Sequence, residues 1–280
     1  MEHRNPMTSN TTSSAPGVAP DGVLCEVRDG VLHITINRPE RHNTMTQEML
    51  RQLAQAFDSA GQRRDLDAVV LTGAGSKTFC AGGQLTSSQE GRPFDLDAER
   101  FDHPVADLFR AIERCPHPVV GRINGSAFGG GVGLVCACDI AIGATGALFG
   151  TTEGRVGLFP MMILPALQRV IPRRALIEMC FYAERFGTEK AVHIGLLNSA
   201  VPPEELDAAV DQAIARLRLC APTALQIGRR ALNAASDLSY ADALNYTQAL
   251  LPLLAQSADA QEGFRAFAER RPANWRQRSA

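Results

Sequence analysis

Long hydrophobic runs are missing from this 280-residue chain: no segment reaches the roughly 18–20 consecutive apolar residues that a membrane span needs. The opening MEHRNPMTSNTTSSAPGVAPDG is polar and holds no hydrophobic stretch, which excludes a secretory signal. Glu2 and the scarcity of basic residues likewise speak against a mitochondrial presequence. Residues 1–22 therefore read as a disordered leader, with Met7 as an alternative start. An excess of one charge is also lacking. Lys and Arg number 28 against 30 Asp and Glu, a formal charge of -2, which argues against a nucleic-acid binder. The basic clusters Arg270–Arg271 and Arg276–Arg278 read as a solvated tail. No C-x-x-C pair occurs among the seven cysteines, Cys25, Cys80, Cys115, Cys136, Cys138, Cys180 and Cys220. Cys136-x-Cys138 has no histidine or second cysteine pair at metal-site spacing. Most are expected to be small buried hydrophobes in a reducing cytoplasm, with no metal.

Three common motifs fail. Leu134 stands where G-x-G-x-x-G, started at Gly129, needs its third glycine, which disfavours dinucleotide binding. GAGSKT (73–78) lacks the glycine before Lys77 that a Walker A loop requires. Phe128 occupies the closing position of a G-x-S-x-G elbow around Ser126, which disfavours a serine hydrolase.

What is present is a long alternation of strands and helices. With 45% hydrophobic residues the chain can fill one large core, or a core plus a smaller helical domain. VLHITI (31–36) alternates like a strand, and apolar runs at 68–72, 119–123, 139–142 and 147–149 suggest four more. Met45, Met49, Leu50, Leu53 and Phe57 fall at helical intervals, with Thr44 and Gln47 at capping-box spacing. From Pro165 onward the pattern is helical, in segments 172–182, 188–195, 204–219, 223–235, 239–256 and 259–270. Strands alternating with helices imply an α/β architecture with parallel pairing. The polar stretch 86–103 has no clear period and reads as a long loop.

Two segments carry the chemistry: LTGAGSKTFCAGGQL (71–85) and the stretch 118–153, which contains NGSAFGGGVGL. Each runs from an apolar strand through a glycine-rich turn into a helix. Such a junction presents unpaired N–H groups, and the helix dipole favours negative charge in front of them. Two junctions facing one another can hold a single developing oxyanion, and Glu153 follows the second. Five glycines stand among residues 125–133. They serve either tight strand–helix packing or the approach of a substrate carbonyl to the backbone.

Together the two segments resemble the enoyl-CoA hydratase/isomerase (crotonase) superfamily, in which a TG turn leads to F-C-A-G-x-D-L and a second strand to N-G-x-A-x-G-G-G. Here those stand as FCAGGQL (79–85) and NGSAFGGG (124–131). The similarity continues through CDIAI (138–142), the segment 149–153, NRPERHN (37–43) against the family's NRP-x-x-x-N, and the terminal EGFRAFAERRPANW, covering roughly residues 23–278. It implies a crotonase-like spiral of repeated ββα turns over 23–205 and a helical oligomerisation region over 206–280. Homotrimers or dimers of trimers are the family's usual assemblies. The apolar stripe Ala243, Leu244, Leu250, Leu251, Leu253 and Leu254 is compatible with that, or with a helix buried within the chain.

The resemblance further implies an acyl-CoA thioester substrate, with CoA entering as part of the substrate and neither metal nor nicotinamide needed. The N–H groups of Ala81 and Gly130 would form the oxyanion hole. Ala81, Gly82, Gly83 and Gln84 would line the pantetheine path, and Arg41 and His42 match positions near the CoA moiety. His42 reads equally as a surface turn residue.

The acid/base set departs from the family's two-glutamate hydratases. Their first glutamate corresponds to Gly133 and their second to Glu153, while Gln84 replaces the acid of the first motif. Adding water to a conjugated double bond is work that two carboxylates share readily. Moving a double bond from the 3- to the 2-position needs one base. The expected enzyme is therefore a hydratase with Glu153 as general acid/base, the alternatives being an isomerase or a catalytically weak acyl-CoA binder. Glu153 also admits a plainer role, capping a turn or pairing with Arg155. Asp139 reads as structural, Phe128 and Phe159 as core or as walls of an acyl pocket, and residues 86–103 and 155–165 as the determinants of acyl specificity. An RNA-binding role is disfavoured because no basic stripe with interleaved aromatics occurs.

Overall fold

The computed structural model describes residues 22–83 and 103–275. Among them no helix is long and apolar enough to cross a membrane. β1 (Gly22–Arg28) and β2 (Val31–Asn37) form an antiparallel hairpin, and α1 (Gln47–Gln62) carries the chain to β3 (Ala68–Gly73), parallel to β2. From there the chain winds in ββα turns. β3 leads to β4 (Thr78–Cys80) and, further along the chain, α2 (Pro104–Arg114). β5 (Val119–Ile123) leads through β6 (Ser126–Phe128) to α3 (Gly130–Ala137). β7 (Ile140–Ala144) leads through β8 (Leu148–Gly150) and a 3-10 turn, Thr152–Val156, to α4 (Leu164–Val170) and α5 (Arg173–Tyr182). β9 (Phe186–Gly187), α6 (Thr188–His193) and β10 (Ser199–Val201) complete the winding.

The first strand of each turn joins a six-stranded sheet of order β1-β2-β3-β5-β7-β10, and the second a four-stranded sheet of order β4-β6-β8-β9. Every pair is parallel except β1–β2 and β8–β9. This is the crotonase-like α/β spiral that the resemblance implied. Its parallel strands explain the unbroken apolar run in β3, which is covered on both faces. Val69 and Leu71 meet Ile34, Ile36, Leu53 and Phe57 in the main core. Val70 points the other way, with Val31, Val120 and Ile142, beneath Leu206, Val210 and Ile214 of α7 (Leu206–Leu217). Each such side chain contributes about 1.5–3 kcal/mol on full burial.

The helix expected near Met45 is α1, but its cap differs. Thr46, not Thr44, accepts the Met49 N–H, at 3.2 Å, while the Thr44 hydroxyl donates to the Arg41 carbonyl. The strands β4, β6, β9 and β10 are two or three residues long. That is too short to show a period; α2, with Leu108, Ala111 and Ile112 on its buried face, is likewise absent from the elements that the pattern suggests.

The six C-terminal helical segments correspond to α5–α7, α8 (Pro222–Ala235), α9 (Tyr240–Ala255) and α10 (Ala258–Ala268). α7 covers the outer face of the six-stranded sheet, so the helices that leave the core begin with α8. Arg229 of α8 ties them back. Its buried guanidinium donates to Asp139 at 2.7 Å and to the Glu113 and Cys115 carbonyls, and Asp139 also accepts the Val119 N–H. Asp139 is structural, as read. Cys80, Cys115, Cys136 and Cys180 are buried, Cys138 is half-buried, and Cys25 and Cys220 are exposed; all are free thiols.

Candidate active site

The ends of β4 and β6 lie side by side, so the two glycine junctions meet. Two buried asparagines fix them. Asn43 accepts the Arg38 N–H and donates to the carbonyls of Ala74 and Thr78, at 2.9 and 2.7 Å. Asn124 accepts the Gly73 N–H at 3.0 Å and donates to the Gly75 carbonyl at 2.8 Å. Both stood in the quoted motifs without a role. Their use as ties between turns is visible only once the turns are adjacent.

The first junction continues from Cys80 through Ala81, Gly82 and Gly83. Here the structure departs from the expected donor. The Ala81 N–H is already given to the His42 carbonyl at 3.0 Å, so it is not free to meet an incoming oxygen. The Gly82 carbonyl accepts from Met45 at 2.9 Å, which fixes the next peptide. Among the described residues the exposed Gly83 has no partner for its N–H. His42 is exposed and left-handed at φ 54°, with Nδ1 3.4 Å from the Thr78 hydroxyl. Arg41 is exposed on the short turn Pro39–Arg41. Gln84 and the expected loop 86–103 lie outside the described residues, save His103, which caps α2.

The second junction ends at Gly129, whose φ of 52° and ψ of -121° suit glycine, and Gly130 opens α3. As the first helical residue, Gly130 has an N–H with no acceptor inside the helix. A Cβ placed on Gly130 would lie 3.6 Å from the Gly83 nitrogen, and one on Gly82 would lie 3.2 Å from the Gly130 nitrogen. Two unpaired amides thus border one small space. Tight packing is also part of the answer, since a Cβ on Gly131 would overlap the Cys80 carbonyl.

Glu153 reaches this space from the turn after β8. Its Oε1 lies 3.0 Å from where a Gly129 Cβ would stand, and its Oε2 is buried without a hydrogen-bond partner. Burial pushes the carboxyl above the usual carboxylate range. It is not paired with Arg155, which donates to the Ala183 carbonyl at 2.8 Å.

Gly133, one turn beyond Gly130, has different surroundings. A Cβ there would lie 2.4 Å from Ile163 Cγ2 and 2.9 Å from the Phe109 ring. Hydrocarbon fills that position. Phe159 packs on the core and edge-on against Phe181 at 6.3 Å, while half-buried Phe128 lies under the Arg185 guanidinium at 4.7 Å. Among the described residues no three His, Cys, Asp or Glu side chains are grouped to hold a metal.

Within the spiral, the two glycine junctions and the half-buried Glu153 carboxyl come together. A family model described as enoyl-CoA hydratase/isomerase matches residues 26–278, and the chain belongs to that family of enzymes, whose chemistry is carried out on CoA thioesters. Similar proteins include an (E)-benzylidenesuccinyl-CoA hydratase from Thauera aromatica, 31% identical over 250 residues, which cover 89% of this chain and 96% of that protein. Among solved structures, an enoyl-CoA hydratase from Mycobacterium smegmatis is 29% identical with a TM-score of 0.84, over 92% of this chain and 99% of that one. AtuE from Pseudomonas aeruginosa is 30% identical with a TM-score of 0.84, over 91% and 99%.

Proposed function

We propose that this chain adds water to a 2-enoyl-CoA, with Glu153 as general acid/base and the N–H groups of Gly83 and Gly130 as the oxyanion hole. The observation that carries the reading is the Glu153 carboxyl, unpaired and partly desolvated beside Gly129, next to those two free amides. The role that the resemblance gave to Ala81 passes to Gly83, because Ala81 donates to His42. Ala81 and His42 then serve to shape the loop. Arg41, His42, Gly82 and Gln84 remain the proposed contacts of the CoA arm.

The chemistry follows from the charges. When the thioester oxygen rests on the two amides, negative charge arriving there is met by donors that need no reorganisation; each such donor is worth ~2.7–4 kcal/mol at the transition state. As the water oxygen bonds to Cβ, Glu153 takes one water proton and the π electrons move onto the thioester oxygen. The enolate then collapses, and Cα takes the same proton back from Glu153. One carboxyl completes the cycle and ends ionised as it began. Its raised proton affinity suits a group that must both accept and return a proton near neutral pH. Similarity to the hydratase from Thauera aromatica supports the choice of hydration.

A second reading rests on Gly133. With Ile163 and Phe109 over that position, no carboxylate stands there to help orient water. Removal of a proton from Cα of a 3-enoyl-CoA and its return at Cγ of the dienolate needs Glu153 alone. Purified protein incubated with crotonyl-CoA and, separately, with a 3-enoyl-CoA separates the two, beside a Glu153→Ala control. Hydration lost in the variant supports the first reading, and double-bond migration alone supports the second. Activity that survives in the variant removes Glu153 from both.

We also propose assembly through the C-terminal helices as a homotrimer or a dimer of trimers. α9 has no buried residue, and Leu232, Tyr240, Leu251, Leu253, Phe264 and Phe267 stand exposed on α8–α10. Light scattering is expected to give three or six times the chain mass; a monomer would refute the assembly.

A further inference from the structure

We propose that Thr151 and Arg155 are positioning residues for Glu153, clamping its turn at two points to the C-terminal carbonyls of α5. The inference rests on the acid/base role just given to Glu153. That residue sits in a 3-10 turn of five residues that has no side-chain cap. Such turns are short and poorly bonded, so something outside the turn must hold the carboxyl in place.

The last turn of α5 does this. Thr151, two residues before Glu153 and fully buried, donates its hydroxyl to the Met179 carbonyl at 3.2 Å. Arg155, two residues after it, donates Nε to the Ala183 carbonyl at 2.8 Å. Ala183 is the left-handed C-cap of the helix, at φ 50°, and is itself buried. Both acceptors lie at the helix C-terminus, which carries partial negative charge; the Met179 carbonyl also accepts the Ala183 N–H at 3.2 Å and takes the Thr151 hydroxyl as a second donor. Between the two ties Gly154 lies against α5: a Cβ there would meet Ala183 Cβ at 3.5 Å and the Cys180 carbonyl at 3.6 Å.

The clamp also disposes of a charge. Arg155 is the nearest cation in sequence to Glu153, and a free guanidinium there would pair with the carboxylate and hold its proton affinity down. Drawn to the end of α5, it leaves Glu153 outside every ion pair among the described residues. Of the other charged groups near that end of α5, exposed Glu184 forms no ion pair among the described residues. Glu178 is paired with Lys190, and Arg185 lies over Phe128. The Cys180 thiol is held up by burial, with a smaller contribution from the Glu153 charge.

The test uses Arg155→Ala, Arg155→Lys, Thr151→Val and Thr151→Ser in the full chain. The Glu153 carboxyl is titrated by 13C NMR on protein labelled at glutamate Cδ, its resonance identified by loss in Glu153→Gln. Turnover is measured on whichever CoA ester the wild type converts. Arg155→Ala and Thr151→Val are expected to move the titration towards ordinary carboxylate values and to lower kcat roughly 10- to 100-fold, the scale of a displaced catalytic group, with KM little changed. Arg155→Lys and Thr151→Ser keep a donor and are expected to restore both. Unchanged titration and kcat in the first pair overturns the clamp, and so does failure of the conservative pair to restore them. If the wild type converts neither ester class, the proposed function falls while the titration still decides the clamp.

Discussion

Gly129 and Gly133 stand one turn apart around the start of α3, and the missing side chain is used in opposite ways at the two positions. At Gly129 the vacant space admits a carboxylate oxygen, with Glu153 Oε1 3.0 Å from the Cβ position. At Gly133 it admits hydrocarbon, with Ile163 Cγ2 at 2.4 Å. One corner is polar, partly desolvated and lacks a partner; the other is packed shut. A glycine-rich segment is therefore not one device. Its residues divide between making room for chemistry and making room for the core, and only the neighbours say which is which.

The largest effect expected of this division is catalytic. Glu153→Gln keeps the shape of the polar corner and removes its proton transfer, so kcat should fall by about 10²–10⁴, the usual worth of a general acid/base. Circular dichroism and the melting temperature should show a folded protein at least as stable as the wild type, because an unpaired carboxylate has been taken out of a partly buried place. A variant that keeps its kcat would make the two corners functionally alike and end the contrast.

Gly133→Ala probes the packed corner, and stability is the readout. The new Cβ would overlap Ile163, and overpacking of this kind costs about 1–3 kcal/mol. Replacing glycine inside a helix returns up to about 1 kcal/mol, so a modest net loss is expected in urea unfolding. Ile163→Ala removes the closest atom, Cγ2 at 2.4 Å, and leaves Ile163 Cβ at 2.7 Å and the Phe109 ring at 2.9 Å. In that background Gly133→Ala should cost less than in the wild type, a coupling of roughly 0.5–3 kcal/mol between touching residues. Additive effects would mean that Ile163 does not fill the position.

How much of this was legible beforehand differs between the corners. The spiral, the six C-terminal helical segments and the meeting of two glycine junctions followed from strand and helix periodicity and from the motif resemblance, since long amphipathic elements announce themselves. Glu153 stood out because it closed the second motif. The fate of Gly133 was not legible, because Phe109 and Ile163 reach it from α2 and the segment before α4, 24 and 30 residues away in sequence (133 − 109 and 163 − 133). The donor at Ala81 was misassigned for a related reason. Which of three consecutive peptides turns its N–H to the open space depends on the His42 carbonyl, which accepts from Ala81, and on the Met45 N–H, which donates to the Gly82 carbonyl, and no local pattern encodes that. Asn43 and Asn124, both buried, were visible as letters in motifs but not as the ties that bring the junctions together.

The smallest effect separates the corners by pH. Burial raises the Glu153 carboxyl above its ordinary value, so the folded chain holds that proton more tightly than the unfolded one. The contribution to stability is complete below the unfolded-state pKa of about 4.3 for a glutamate. It is lost progressively as pH climbs through the window up to the raised value, and stays lost above it. Glu153→Gln has nothing to titrate there, so its stability relative to the wild type should rise across that window and then level off. The side chain is only half withdrawn from water, which keeps the change small. Ile163 and Phe109 carry no proton to exchange, so the deficit of Gly133→Ala should stay flat over the same range. Urea unfolding of the three proteins from pH 4 to about pH 8 gives both curves. A flat Glu153→Gln curve would place that carboxyl in ordinary solvent, and a sloping Gly133→Ala curve would mean that the packed corner also holds a titrating group.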